Sequence, residues 1–212
     1  DSVVSVNAEA GFSIVKYTGN GTSGTTVGHG LSQAPDLIFI KNIDKSANYH
    51  WTVYSNTPST GATGLLYLNL TDGFTVTSSR FNNTTPTSSV VTLGNDGTVN
   101  ESGDDHIAYC FHSVTGYQKV GSYTGNGSTS NTITTGFKPR FLLIKRTDVS
   151  GYNWNIMDSL RGDSDYLLSA NTSSAEVTSE TPLNTTSTGF VITISSNYIN
   201  ASGGTYIYLA IK

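Results

Sequence analysis

The sequence predicts an all-β fold: two tandem homologous antiparallel β-sandwich halves, jelly-roll or Ig-like, packed tightly and with few or no helices. Three observations predict it. Charged residues make up only 12% of the 212, and Gly, Ser, Thr and Asn take their place, as in chains of short strands joined by polar turns. Short apolar or alternating runs recur along the chain. Turn signals divide them: Gly19-Asn20-Gly21, Asp72-Gly73, Asn95-Asp96-Gly97 and Ser102-Gly103. Finally, the chain reads as though written twice.

The repeat keeps its order throughout. YTGNG at Tyr17–Gly21 returns at Tyr123–Gly127, and APDLIFIKNID (Ala34–Asp44) answers KPRFLLIKRTD (Lys138–Asp148). NYHWTVY answers GYNWNIM, setting Trp51 against Trp154; Asn69 answers Asn171. VNESG (Val99–Gly103) answers INASG (Ile199–Gly203). The expected division is an N-terminal extension or linker over residues 1–10, one β-sandwich repeat over 11–115 and a second over 116–212. Strands are expected near 12–18, 37–42, 50–54, 65–70, 74–77, 89–93 and 106–113 in the first repeat. In the second they fall near 117–123, 141–146, 154–157, 166–170, 190–194 and 205–211. LIFI and FLLI are continuous apolar runs, the mark of a strand buried on both faces and central in its sheet. Only Thr115-Gly116 separates two strand-like runs at the junction, so a hairpin is expected to pair the last strand of one repeat with the first of the next.

Charge excludes one class of function. The formal net charge is −4 with no basic stripe, so nucleic-acid binding through phosphate contacts is not expected. No apolar run approaches the roughly 20 residues of a membrane span, so no membrane insertion is expected.

The candidate chemistry is then weighed motif by motif. Gly19, Gly21 and Gly24 form a literal G-x-G-x-x-G after a strand-like run. A dinucleotide loop would open a helix next. Here TTVGHGLSQAPD follows, and the second repeat has Ser130 in place of the third glycine. The shared feature is a Gly-Asn-Gly turn, and no cofactor is expected. Cys110, the one cysteine, lies in the strand-like HIAYCFHSV and is read as a buried strand residue rather than a catalytic thiol. His29, His50, His106 and His112 have no histidine counterparts, and no metal motif is present, so no metal site is expected. Asp96, Glu101, Asp104 and Asp105 crowd one loop, read as solvated with calcium the alternative. Arg161-Gly162-Asp163 is read as a polar turn. Trp51 and Trp154 share a face with the aliphatic residue two positions on, which places them in the core. His50, Tyr54 and Tyr208 are the candidate surface contacts, the tyrosines because a phenol on an outer face offers apolar area with a hydroxyl.

With these residues set out, the segments GFSIVKYTGNGTSGTTVGHGL, HIAYCFHSVTGYQKVGSYTGNG, GFKPRFLLIKRTD and INASGGTYIYLAI resemble an uncharacterised domain family in structural proteins of marine bacteriophages, of the cyanophage and pelagiphage kind. The likeness runs from Gly11 to Ile211. It implies a tail-fibre, appendage or capsid-surface role, a location on the virion surface or outside the cell, and no catalytic residues. The expected function is a non-enzymatic structural module that contributes to host-surface attachment; the alternative is a carbohydrate-binding module for a cell-surface glycan. Expected partners are other copies of the chain, with a trimer the first guess by analogy with fibres, other virion proteins and a host-surface glycan. A glycan-degrading enzyme would require two carboxylates about 5–10 Å apart in a cleft. The two repeats share no acid pair; Asp44 and Asp148 are the one acid they hold in common.

Overall fold

The computed structural model describes residues 2–57, 61–160, 166–178 and 182–212. It is all-β with the character of a β-sandwich, and every ladder between named strands of the described residues is antiparallel. The chain divides into two compact units. The first comprises Asp1–Leu70 and Phe74–His112, and the second comprises Thr71–Gly73 and Ser113–Lys212.

The first unit holds strands β1 (Ser2–Asn7), β2 (Phe12–Thr18), β3 (Thr26–Gly28), β4 (Leu37–Asn42), β5 (Thr52–Ser55), β6 (Gly64–Tyr67), β7 (Thr75–Val76), β8 (Val90–Thr92) and β9 (Asp105–Phe111), with a one-turn helix α1 (Gly97–Asn100). Seven strands form one sheet in the order β1-β2-β9-β4-β5-β6-β7, and β3 pairs with β8. The core lies between these two layers. Val15 and Tyr17 of β2, Ile38 and Ile40 of β4, Tyr54 of β5 and Ala108 and Cys110 of β9 pack in one cluster with Val91 of β8 and, partly buried, Val27 of β3. Each fully buried aliphatic side chain there contributes about 1.5–3 kcal/mol.

The second unit holds β10 (Gln118–Thr124), β11 (Asn131–Thr134), β12 (Phe141–Arg146), β13 (Trp154–Asp158), β14 (Leu168–Ser169), β15 (Leu183–Thr186), β16 (Gly189–Ile192) and β17 (Thr205–Ile211), with a one-turn helix α2 (Asn197–Asn200). Its sheets run β10-β17-β12-β13-β14 and β11-β16-β15. Ile133, Phe190 and Ile192 of the smaller sheet pack on Leu142, Ile144, Met157, Tyr206, Tyr208 and Ala210 of the larger. The orders β2-β9-β4-β5-β6 and β10-β17-β12-β13-β14 correspond strand for strand.

The apolar runs behave as expected. LIFI forms β4, the fourth of seven strands, and FLLI forms β12, with β13 and β17 on its two sides. Other expectations are corrected. Residues 1–10, read as an extension or linker, contain β1, which pairs in register with β2 from Ser2↔Tyr17 to Asn7↔Phe12. The junction hairpin does not form between β9 and β10. Both edges of β9 are already filled by β2 and β4, while β10 pairs with β17. The chain instead reverses through a bridge between Val114 and Gln118.

Tyr54 and Tyr208 are buried, not on outer faces. Tyr54 stands opposite Ile38, which stands opposite Cys110, so the strand parity turns its ring inward, edge-on to Phe81. Tyr208 packs against Phe190 inside the second core. Burial pushes the phenol pKa of each up to about 12. The same parity turns Trp51 away from the core cluster. It is half-buried against Tyr109, whereas Trp154 is fully buried.

Candidate functional site

The Gly-Asn-Gly turn is a latched corner, and it is built alike in both units. In the first, the backbone N–H of Asn20 donates to Asn100 Oδ1 (2.9 Å) and that of Gly21 to the Asn100 carbonyl (2.8 Å). Asn100 Nδ2 donates to the carbonyls of Thr22 (3.0 Å) and Gly94 (2.8 Å). In the second, Asn126 N–H donates to Asn200 Oδ1 (3.0 Å) and Gly127 N–H to the Asn200 carbonyl (3.0 Å). Asn200 Nδ2 donates to the carbonyls of Ser128 (2.6 Å) and Ile194 (3.3 Å). Both asparagines are fully buried, where an amide holding its partners is far better placed than one without them. The glycines are dictated by the same corner. A Cβ on Gly19 would meet the Glu101 carbonyl oxygen at 2.2 Å, and Gly21 has φ +70°. The amides that a phosphate loop would aim at its ligand are here aimed at the protein.

Other polar side chains of catalytic type do similar work. The hydroxyl of Tyr17 donates to the Val99 carbonyl (2.7 Å), and that of Tyr123 to the Ile199 carbonyl (2.8 Å). His106 Nε2 lies 3.2 Å from the Gly97 carbonyl, and the Tyr206 hydroxyl donates to the equivalent Asn197 carbonyl (2.9 Å). His106 stacks on Tyr17, and Tyr206 stacks on Tyr123. His50 is half-buried. Its Nδ1 is 3.0 Å from Asn69 Nδ2, while Asn69 Oδ1 accepts the Trp51 N–H. Asn153, Asn171 and Trp154 repeat that clamp, so His50 serves the fold more than a surface contact. Cys110 is buried, and burial pushes its thiol up to about 12, where it is not a nucleophile.

A polar recess of about 230 Å³ in the first unit is lined by Asn48, Tyr49, Arg80, Asp96, Gly97 and Glu101 among others. The acidic loop shapes it. Asp96 caps α1 through Oδ1, which accepts from the Thr98 N–H (2.9 Å), and its Oδ2 pairs with Arg80. Glu101 Oε2 accepts from the Tyr49 hydroxyl (3.2 Å), and burial together with Glu101 raises the phenol pKa. Asp104 accepts from Asn42 Nδ2 and faces Lys45; Asp105 pairs with Lys16. The acids are thus spread over separate partners, and no three of the His, Cys, Asp or Glu side chains among the described residues gather into a metal-holding group. Arg161-Gly162-Asp163 lies outside the described residues. Tyr49, Asn100 and Asn200 were not among the sequence candidates, although each stands in a repeated segment, NYHW, VNESG or INASG.

Lys145 is fully buried, with Nζ donating to the Arg146 carbonyl (2.7 Å) and reaching toward that of Thr71 (3.5 Å). Burial lowers its pKa to about 8 against the ordinary 10.5, opposed in part by Asp72 and Asp148. Between those values the unfolded chain holds a proton that the folded chain has released. The Lys145 contribution to stability should therefore rise with pH above about 8, by on the order of 3 kcal/mol if the full interval is traversed; above about 9 the Cys110 thiol, pushed up to about 12 by burial, opposes it, so the net rise is smaller. Chemical denaturation at pH 7.5 and 9.5 should show the rise in the native chain, and Lys145→Met should flatten it.

No curated protein and no solved structure is found to match the chain. One family model matches residues 1–212, and by that match the chain belongs to DUF7483, a domain family of unknown function.

Proposed function

We propose that this chain is a non-catalytic structural and attachment module on the outside of a bacteriophage particle, in a tail fibre, appendage or capsid-surface protein. One observation carries the reading: several polar side chains that could do chemistry are buried and turned onto backbone groups. Asn100, Asn200, Tyr17, Tyr123 and His106 each lock a loop or a helix turn. Such a chain is built to hold its shape. Immunogold labelling of intact particles of a phage that encodes the chain should decorate their exterior; its absence from purified particles would overturn the proposal.

We read the two units as tandem copies of one domain, a reading supported by their common strand order and by the paired Asn100 and Asn200 latches. We also propose a homo-oligomer, with a trimer the first expectation. The edge strand β1 supports it, since it pairs with β2 at the end of the sheet and exposes Val3 (75%) and Val6 (47%), the kind of edge that proteins cover. A stable monomer in sedimentation equilibrium at high concentration would contradict it. A carbohydrate-binding module is the second reading, favoured by the recess that sets a tyrosine beside two carboxylates.

A further inference from the structure

One position in the smaller sheets is filled by different chemistry in the two units. His29 follows β3 and Thr135 follows β11. The ladders set them in equivalent places, since Gly28 stands opposite Val90 and Thr134 opposite Gly189. The backbone N–H of His29 donates to the Ser89 carbonyl (3.4 Å), and that of Thr135 to the Thr188 carbonyl (2.9 Å). Each side chain then holds the residue two positions on. Leu31 N–H donates to His29 Nδ1 (3.2 Å), and Phe137 N–H donates to Thr135 Oγ1 (3.4 Å). Between them Gly30 (φ +73°) and Gly136 (φ +92°) turn the chain. Each side chain also meets a carbonyl. His29 Nε2 lies 3.1 Å from that of Thr87, and the Thr135 hydroxyl donates to that of Phe137 (2.7 Å). Leu31 and Phe137 belong to the two cores, so each tether fixes a core residue through its backbone.

The contacts of His29 fix its tautomer. Nδ1 accepts from a backbone N–H and carries no proton, and Nε2 carries one toward the Thr87 carbonyl. A second proton must go to Nδ1, where it removes the acceptor of the buried Leu31 N–H. The ring is 1% exposed and lines an apolar recess with Val15, Val27, Ile38 and Ala108. Burial lowers its pKa, the Thr87 carbonyl opposes the shift in part, and His112 adds to it. The other ionisable groups of the recess are Tyr17 and Cys110, both pushed upward by burial and so neutral in acid. A threonine hydroxyl in the same place has no such titration.

We propose that His29 is a pH-sensitive tether of the smaller sheet in the first unit, closed at neutral pH and released by acid, while the Thr135 tether of the second unit stays closed. Protonation at Nδ1 frees the Leu31 backbone, and the segment after β3 loosens from the β8 side. The folded ring titrates below the ordinary 6.5, so its stabilisation is complete above about 6.5 and is lost as pH falls through the lowered value. The Lys145 and Cys110 effects lie at higher pH, and those of Asp105 and Asp148 lie below 3.8, outside this window. The tether is independent of the attachment reading, because it concerns one unit of the chain in solution.

Amide hydrogen exchange of the whole chain at pH 7.5 and 5.0, corrected for intrinsic rates, tests it. Protection at Leu31 should fall severalfold in acid, with a ceiling of about thirtyfold set by the ordinary imidazole value of 6.5. Phe137 should keep its protection. His29→Thr, which installs the group of the second unit, should remove the pH dependence at Leu31. A titration of the His29 ring followed by NMR in the native chain needs no variant to fold, and its midpoint should lie below 6.5. An equal loss at Leu31 and Phe137, a pH dependence at Leu31 that survives His29→Thr, or a ring midpoint at or above the ordinary value would overturn the proposal.

Discussion

Replacing Asn100 by alanine should destabilise the first unit by about 3–5 kcal/mol in urea unfolding, among the largest effects of any single polar truncation in the chain. The deletion removes one acceptor and two donated bonds at once, leaving Asn20 N–H and the Thr22 and Gly94 carbonyls without their partner. The variant that separates this account from simple loss of volume is Asn100→Asp. It keeps the oxygen that Asn20 needs. It also turns a second carboxylate oxygen toward two carbonyls 2.8 and 3.0 Å from the native Nδ2. Asn100→Asp should therefore be no more stable than the alanine variant, although it is the closer isostere. Asn200→Ala and Asn200→Asp should repeat the pattern in the second unit. A tolerated aspartate at either position, within about 0.5 kcal/mol of native, would show that the amide donors contribute nothing.

The second large effect distinguishes two glycines of the same turn. Gly19→Ala places a methyl 2.2 Å from the Glu101 carbonyl oxygen and 2.8 Å from the Asn100 carbonyl carbon. Neither atom belongs to a flexible side chain, so the corner itself must move, at a cost of about 3 kcal/mol or more. Gly21→Ala has room, with Ser102 Cβ at 3.5 Å, but must hold φ +70°, which costs about 1–2 kcal/mol. The order of the two variants is the prediction, and thermal unfolding of both reads it. Gly125→Ala, whose Cβ would approach the Ala201 carbonyl oxygen at 2.1 Å, should behave like Gly19→Ala.

The all-β class, the central strands and the position of most strands were legible in the sequence, because long apolar runs and Gly-Asn turns carry their own periodicity. β1, β3, β11 and β15 were not: Ser2–Asn7 lies in the segment read as a linker, Thr26–Gly28 is three residues long, and Asn131–Thr134 and Leu183–Thr186 are largely polar four-residue runs without a clear apolar pattern. The error at Tyr54 has a single cause. A strand covered on both faces carries no polar alternation to fix its parity, and every residue of β5 is buried; starting from Trp51 as a core residue then inverted the faces. β17 hid Tyr208 in the same way. The acidic loop was visible as a cluster, but its partners come from Lys16, Lys45, Tyr49 and Arg80, separated from it in sequence and brought near by the ladders. The repeat of VNESG as INASG held the signal for Asn100 and Asn200, because a polar residue kept inside a repeated turn segment has a partner to satisfy.

The central claim is that the Gly-Asn-Gly corners are structural latches and not ligand loops. Native-state hydrogen exchange at Asn20, Gly21, Asn126 and Gly127 tests it most directly. These residues are exposed, apart from their hydrogen-bonded amides. The account predicts protection close to that of the core strands, with exchange through global opening. Exchange at the rate of an unstructured glycine-rich loop in either unit would contradict it.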